Sequence, residues 1–257
     1  MSYLIAISGK GGVGKTTVAG LLVNRLVKRG CKPVLAIDAD PNTCLDRVLG
    51  VSVDKTIGGV REEAREIAGK GMVSGIAKQE LLEMKIEESL VEANDFDLIA
   101  MGRPEGPGCY CYANNVLRTT ISKISNHYPY VVLDNEAGLE NLSRRIILEV
   151  DLLIIVTDPS RSGFETVNRL YHLSREMGVK FSHLVIIVNR LRNDKLPDSV
   201  SSLKMSTGAD LVVGLPENTE IAEFQEDGKS LKLLSDYNPV SNRLDELLTE
   251  LHIKKQE

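Results

Sequence analysis

Several things are scarce in this chain, and each scarcity removes a class of function. Long apolar runs are missing: the longest, such as Leu152 to Val156, fall far short of the roughly 20 residues a membrane-spanning helix needs. The chain is already in an apolar run by Tyr3, which leaves no room for a signal peptide. The expectation is therefore a cytoplasmic protein with no membrane role. Cysteine is sparse, with 4 in 257 residues. In a reducing compartment these are core residues or metal ligands rather than disulfides. Positive charge is in deficit, 31 Lys and Arg against 36 Asp and Glu, for a net charge of −5, so nucleic acid is not the expected partner. There is no Pro-, Gly- or Ser-rich linker, no internal repeat and no low-complexity segment. The expectation is one domain over residues 1–257.

What is present is a rhythm. Strand-like runs fall at Leu4–Ser8, Pro33–Ile37, Phe96–Met101, Tyr130–Leu133, Leu152–Val156, Leu184–Val188 and Leu211–Leu215. They are apolar on successive residues, the mark of strands buried on both faces of a parallel sheet. Helical stretches at Val18–Arg29, Asn114–Ser125, Phe164–Met177 and Ser199–Ser206 separate most of them. This alternation predicts an α/β fold, a doubly wound, mostly parallel sheet flanked by helices. Residues 50–95 break the rhythm. No clear strand lies there, and Leu82, Ile86 and Leu90 predict an amphipathic helix within a helical insertion. A final helix over Val240–Leu251 carries Val240, Leu244, Leu247, Leu248 and Leu251. Packing on the sheet is its expected role, with membrane targeting as the alternative.

The first strand runs into Gly9-Lys10-Gly11-Gly12-Val13-Gly14-Lys15-Thr16-Thr17, followed by a helix. This satisfies the phosphate-loop pattern in its proper strand-to-helix context. The glycines let the backbone curl so that N–H groups of Gly11, Gly12, Val13, Gly14, Lys15, Thr16 and Thr17 converge on one anion. The helix N-terminus adds partial positive charge. Lys15 would reach the β- and γ-phosphates of ATP, and Thr16 would place a hydroxyl on Mg²⁺. Lys10 is a second cation that packing does not require, and crowding it near Lys15 is costly unless an anion fills the space. A loop of this form resembles the deviant phosphate-loop NTPases of the SIMIBI class. They include the nitrogenase iron protein, the Min-type cell-division ATPases and the metal-insertion ATPases. The resemblance implies that Lys10 reaches across a homodimer to the partner's nucleotide and stabilises charge on the transferred group.

Other candidates sit where strands end, the side on which open parallel sheets bind ligands. Asp38 and Asp40, in Asp38-Ala39-Asp40-Pro41-Asn42, follow the second strand. The resemblance implies that Asp40 orients the attacking water and that Asp38 lies nearer the Mg²⁺ hydration shell. An Asx-turn with a helix cap is the competing account. Asp134 ends Val131-Val132-Leu133-Asp134, where a carboxylate would hold a metal-bound water, and Gly138 could bring an N–H toward the γ-phosphate. Asn189, Pro216 and Glu217 follow later strands and are candidates for the adenine pocket, although Asn and Pro there are also common turn residues.

The most distinctive segment is Gly106-Pro107-Gly108-Cys109-Tyr110-Cys111. Cys109 and Cys111 can present two thiolates to one soft metal, but two ligands do not close a tetrahedral site. A two-fold dimer would double them. Softness admits Zn²⁺, Cu⁺ or Ni²⁺. With Asp134-Asn135-Glu136-Ala137-Gly138 and the Lys10-bearing loop, the chain resembles the nickel-insertion ATPases of the CooC type. The resemblance implies a Mg²⁺-dependent ATP hydrolase, dimerised by ATP or metal. It would pass Ni²⁺, with Zn²⁺ possible, to carbon monoxide dehydrogenase or acetyl-CoA synthase. Two alternatives stand beside it: an ATP-driven electron donor with a bridging Fe–S cluster, and a Min-like positioning ATPase. The first needs a second cysteine after the fourth strand, and Asp134 to Asn141 has none.

Overall fold

The computed structural model describes residues 2–69, 78–103, 111–137 and 149–254, with the side chains of 64–69, 78–79 and 111–115 outside that description. The elements in chain order are β1 Tyr3–Gly9, α1 Lys15–Lys28, β2 Val34–Asp38, α2 Leu45–Leu49, α3 Ile57–Gly69, α4 Lys78–Glu87, β3 Val91–Glu92, β4 Phe96–Ala100, α5 Cys111–Ser125, β5 Tyr130–Asp134, β6 Glu149–Thr157, α6 Arg161–Glu176, β7 Lys180–Leu191, α7 Val200–Thr207, β8 Leu211–Pro216, α8 Thr219–Glu226 and α9 Pro239–Glu250.

Among the described residues the strands form one eight-stranded sheet in the order β3-β4-β2-β5-β1-β6-β7-β8. All pairings are parallel except β3 with β4. β1 lies inside the sheet, with Tyr3 opposite Tyr130 of β5 and Ile5 opposite Leu152 of β6. Successive strand residues point to opposite faces, and both faces are covered. Ile5, Ile7, Val34, Ala36 and Ile154 pack under Leu22 and Leu26 of α1 and Leu244 and Leu248 of α9. Ala6, Leu35, Ile37, Val131 and Ile155 pack under Leu117 and Ile121 of α5 and Val167 of α6. Burial on both faces explains why β2 and β5 read as unbroken apolar runs.

Three details differ from the sequence expectation. The 50–95 region contributes α3 and α4 but also the two-residue antiparallel strand β3, which is too short to leave a pattern. α4 buries Leu81, Leu82 and Ile86, whereas Leu90 lies beyond the helix end and packs only partly against the same core. The helix α8 has no long apolar stripe in Thr219-Glu220-Ile221-Ala222 and so leaves no periodic signal; Asn218 starts it by accepting the Ile221 N–H at 3.0 Å.

α9 follows expectation. Pro239 occupies its first turn, and Asn238 Oδ1 accepts the Val240 and Ser241 N–H groups. Val240, Leu244, Leu247 and Leu248 are buried in the core. The residues after it are also tied down: Arg29 donates to the Ile253 carbonyl at 3.3 Å, and the Tyr130 hydroxyl donates to the Lys254 carbonyl.

Candidate active site

The register of the sheet brings the phosphate loop and two carboxylates to one end. Ile7 of β1 and Asp38 of β2 both lie opposite Asp134 of β5. The loop after β1 turns sharply. Gly9 has φ 151°, and a Cβ there would stand 2.2 Å from the Val156 carbonyl oxygen. Gly14 has φ 93°, and a Cβ there would stand 2.6 Å from Asn189 Nδ2. Neither position admits a side chain. α1 then begins at Lys15 with no side-chain cap on its first N–H groups, which leaves those donors available to an anion. Lys10, Gly11 and Gly12 are exposed, and Thr16 and Thr17 are half-buried.

Lys15 is buried, and its Nζ donates to the Lys10 carbonyl at 3.1 Å. Burial lowers its pKa, while Asp134, Asp40 and Glu136 act to raise it. Asp134 is 1% exposed. Neither of its carboxylate oxygens has a partner in hydrogen-bonding geometry. Burial pushes its pKa up to about 7; the neighbouring Thr16 hydroxyl and Lys15 temper the rise, and Asp38 and Asp40 add to it. A buried, unpartnered carboxylate is costly in the free protein. Beside Thr16 and Lys15 it fits a Mg²⁺ that takes most of its ligands from phosphate and water. The described residues contain no group of three or more His, Cys, Asp or Glu side chains able to hold a metal ion.

Asp38, expected near the Mg²⁺ hydration shell, also has a structural task. It is fully buried, and its carboxylate accepts three backbone N–H groups: Asp40 at 3.0 Å, Cys44 at 2.8 Å and Leu45 at 2.9 Å. It caps α2 and shapes the loop that carries Asp40. Burial still raises its pKa, and those three N–H groups oppose the rise. Asp40 is half-buried and closes an Asx-turn, its Oδ1 accepting the Asn42 N–H at 2.8 Å.

Asn189, Pro216 and Glu217 do come together with Gly14 and Thr17, lining one cleft of about 240 Å³. Asn189 has a further task there. Its Nδ2 donates to the Val13 carbonyl at 2.8 Å and its Oδ1 accepts the Arg190 N–H at 3.0 Å. Half of its amide thus braces the phosphate loop, and one N–H remains for a ligand.

Sequence inspection missed Gln225, whose Nε2 donates to Thr17 Oγ1 at 2.6 Å, tying α8 to the first turn of α1. It also missed the Arg103 guanidinium, which donates to Asn42 Oδ1 at 2.9 Å. Neither lies in a recognisable motif. Cys109 and Gly138 lie outside the described residues, and Cys111 opens α5 with its side chain outside the description. Of the other cysteines, Cys31 is buried, Cys44 is exposed and both are free.

A phosphate loop at the end of a mostly parallel sheet, with a buried carboxylate across from it, defines a phosphate-loop NTPase. The AAA domain family matches residues 2–184, and the chain belongs to this family of ParA- and MinD-like ATP-binding proteins. It is 40% identical over 253 residues to an uncharacterized ATP-binding protein of Methanocaldococcus jannaschii, covering 98% of this chain and 99% of the relative. It is 34% identical over 188 residues to the carbon monoxide dehydrogenase accessory protein CooC of Rhodospirillum rubrum, covering 68% of this chain and 70% of that one. Among solved structures, the septum site-determining protein MinD of Pyrococcus horikoshii, complexed with Mg-ADP, matches over all of both chains with a TM-score of 0.68 at 21% identity. MinD of Aquifex aeolicus matches over all of both chains with a TM-score of 0.68 at 23% identity. No helix among the described residues is long and apolar enough to cross a membrane.

Proposed function

We propose that this protein is a Mg²⁺-dependent ATPase that loads a soft metal, Ni²⁺ by preference, into a carbon monoxide dehydrogenase or acetyl-CoA synthase. The nucleotide half rests on one observation: the buried Asp134 carboxylate, without a partner, beside Lys15 and Thr16. Bound Mg²⁺ would neutralise charge on the β- and γ-phosphates. Thr16 would supply one ligand oxygen, and Asp134 would hold a coordinated water. Lys15 would leave the Lys10 carbonyl for phosphate oxygens. Asp40 would orient the water for attack, while Lys10 of the opposite protomer would meet the charge that develops on the transferred phosphoryl group.

The metal half draws on Cys109 and Cys111 and on the similarity to the carbon monoxide dehydrogenase accessory protein. Support also comes from topology. β4 runs parallel to β2 and ends at Ala100, so the chain leading to Cys109 leaves the sheet at the end that carries the phosphate loop. ATP-driven dimerisation could then control whether four thiolates, two from each protomer, surround one ion.

A Min-like positioning role is the second reading, favoured by the fold match to MinD. Against a lipid-binding C-terminal helix stands the burial of the apolar stripe of α9 in the core.

Metal stoichiometry tests the proposal. The expected result is one Ni²⁺ or Zn²⁺ per two chains, binding that weakens as pH falls because thiolates are the ligands. Cys109→Ser and Cys111→Ser should each abolish it while leaving ATP affinity intact. One tight ion per chain, or undiminished binding in the double Ser variant, would sink the shared site.

A further inference from the structure

Asp40 sits in a loop whose shape is fixed from two sides. From within, the Asp40 N–H bonds Asp38 Oδ1 at 3.0 Å, the Thr43 N–H bonds the Asp40 carbonyl at 3.1 Å, and the Asn42 N–H bonds Asp40 Oδ1 at 2.8 Å. Thr43 closes the turn at φ 50°, a region that a β-branched residue avoids. From outside, Arg103 donates to Asn42 Oδ1 at 2.9 Å. Asn42 is therefore held at both ends, by Asp40 through its backbone and by Arg103 through its side chain.

Arg103 is itself firmly based. The Met101 N–H bonds the Asp38 carbonyl at 2.8 Å, and the Gly58 N–H at the start of α3 bonds the Met101 carbonyl at 2.9 Å. A Cβ on Gly58 would come within 2.0 Å of the Arg103 carbonyl oxygen, and one on Gly102 within 2.4 Å of Thr56 Oγ1. The stem Met101–Arg103 is wedged between β2 and α3, and the only long side chain it sends to the Asp40 loop by a described hydrogen bond is that of Arg103.

We propose that Arg103 is a positioning residue for ATP hydrolysis: by gripping Asn42 it holds the Asp40 loop in the shape that turnover requires. This rests on the proposed role of Asp40 as the group that orients the attacking water. It also gives the helical insertion a task, since α3 is what seats the Arg103 stem.

The test is steady-state ATP hydrolysis by the full chain in chelated, Ni- and Zn-free buffer with Mg²⁺ added back, alongside nucleotide affinity and a melting curve. A hydrogen bond of this kind is worth a factor of roughly three to ten in an equilibrium. Arg103→Ala should therefore lower kcat by about three- to tenfold, with the KM for ATP and the nucleotide affinity within about twofold of the parent. Arg103→Lys, which keeps a cationic donor, should recover part of the loss. Asn42→Ala should show the same loss, and the double variant should show no more than either single one. Unchanged kcat in a folded Arg103→Ala protein, a loss confined to KM, or losses that multiply in the double variant would each overturn the proposal. Asp40→Ala runs in parallel. If it is inactive while Arg103→Ala is normal, only the positioning role falls; if it hydrolyses ATP normally, the role of Asp40 falls and this inference with it.

Discussion

Asp134→Asn should make the nucleotide-free protein more stable and, at the same time, unable to use Mg²⁺. In the folded chain burial raises the Asp134 pKa from 3.8 to about 7. Between those values the native state keeps a proton that the unfolded state has released, so stability falls as pH rises and the cost levels off above about pH 7. The gap corresponds to about 4 kcal/mol at most. Part of it will not be recovered, because a buried Asn amide at this position leaves its own polar atoms without partners. A net gain of about 2 kcal/mol is expected at pH 8, which for a chain of this size is a rise in Tm of roughly 4–8 °C. Melting curves in EDTA at pH 5 and pH 8 check it. The gain should largely vanish by pH 5, where the wild-type carboxyl is protonated when folded. Adding Mg²⁺ and ATP should reverse the order, with the wild type gaining stability from the ligand and the variant gaining little. Equal melting temperatures at pH 8, or the same gain at both pH values, would refute the account of Asp134 as a carboxylate kept uncompensated for a cation.

The remaining predictions are more direct. Lys10→Ala and Asp40→Ala should each bind nucleotide and hydrolyse it poorly, and mixing the two should restore some activity. That heterodimer contains one site with an intact Asp40 facing a partner that supplies Lys10. No recovery in demonstrated heterodimers would count against action in trans. Leu244→Ala, at the centre of the buried face of α9, should cost about 2–5 kcal/mol in chemical denaturation. If the helix instead leaves the core for lipid, the variant will lose vesicle binding with little loss of stability.

The sheet was legible because burial on both faces forces unbroken apolar runs, and the phosphate loop because Gly9, Gly14, Lys15 and Thr16 answer separate demands at fixed spacing. Asp134 was legible for the same reason, as a charge at the end of Val131-Val132-Leu133. The capping of α2 by Asp38 was not, because its three backbone partners lie in the loop that follows and leave no pattern of their own. Nor was the bracing of Val13 by Asn189 foreseeable, since it joins residues far apart in the chain. Gln225 and Arg103 were silent because a single long-range hydrogen bond leaves no periodicity. β3 and α8 were lost because two residues, or two turns without a stripe, fall below what a pattern of burial can record.

The position of β1 has a consequence for how the protein comes into being. Among the described strands this one is made before the others, yet its neighbours in the sheet are β5 and β6, which end at Asp134 and Thr157. Until those segments leave the ribosome, on the order of ten seconds later at ordinary elongation rates, Ile5 and Ile7 have no sheet to enter and Gly9 has no Val156 carbonyl to turn against. Until then the nascent chain carries its nucleotide motif in a form that has no preformed cradle for phosphate. An apolar strand with open edges on both sides is a target for chaperones or for aggregation during that interval. ATP in the cell would select the finished fold only after β6 has been made.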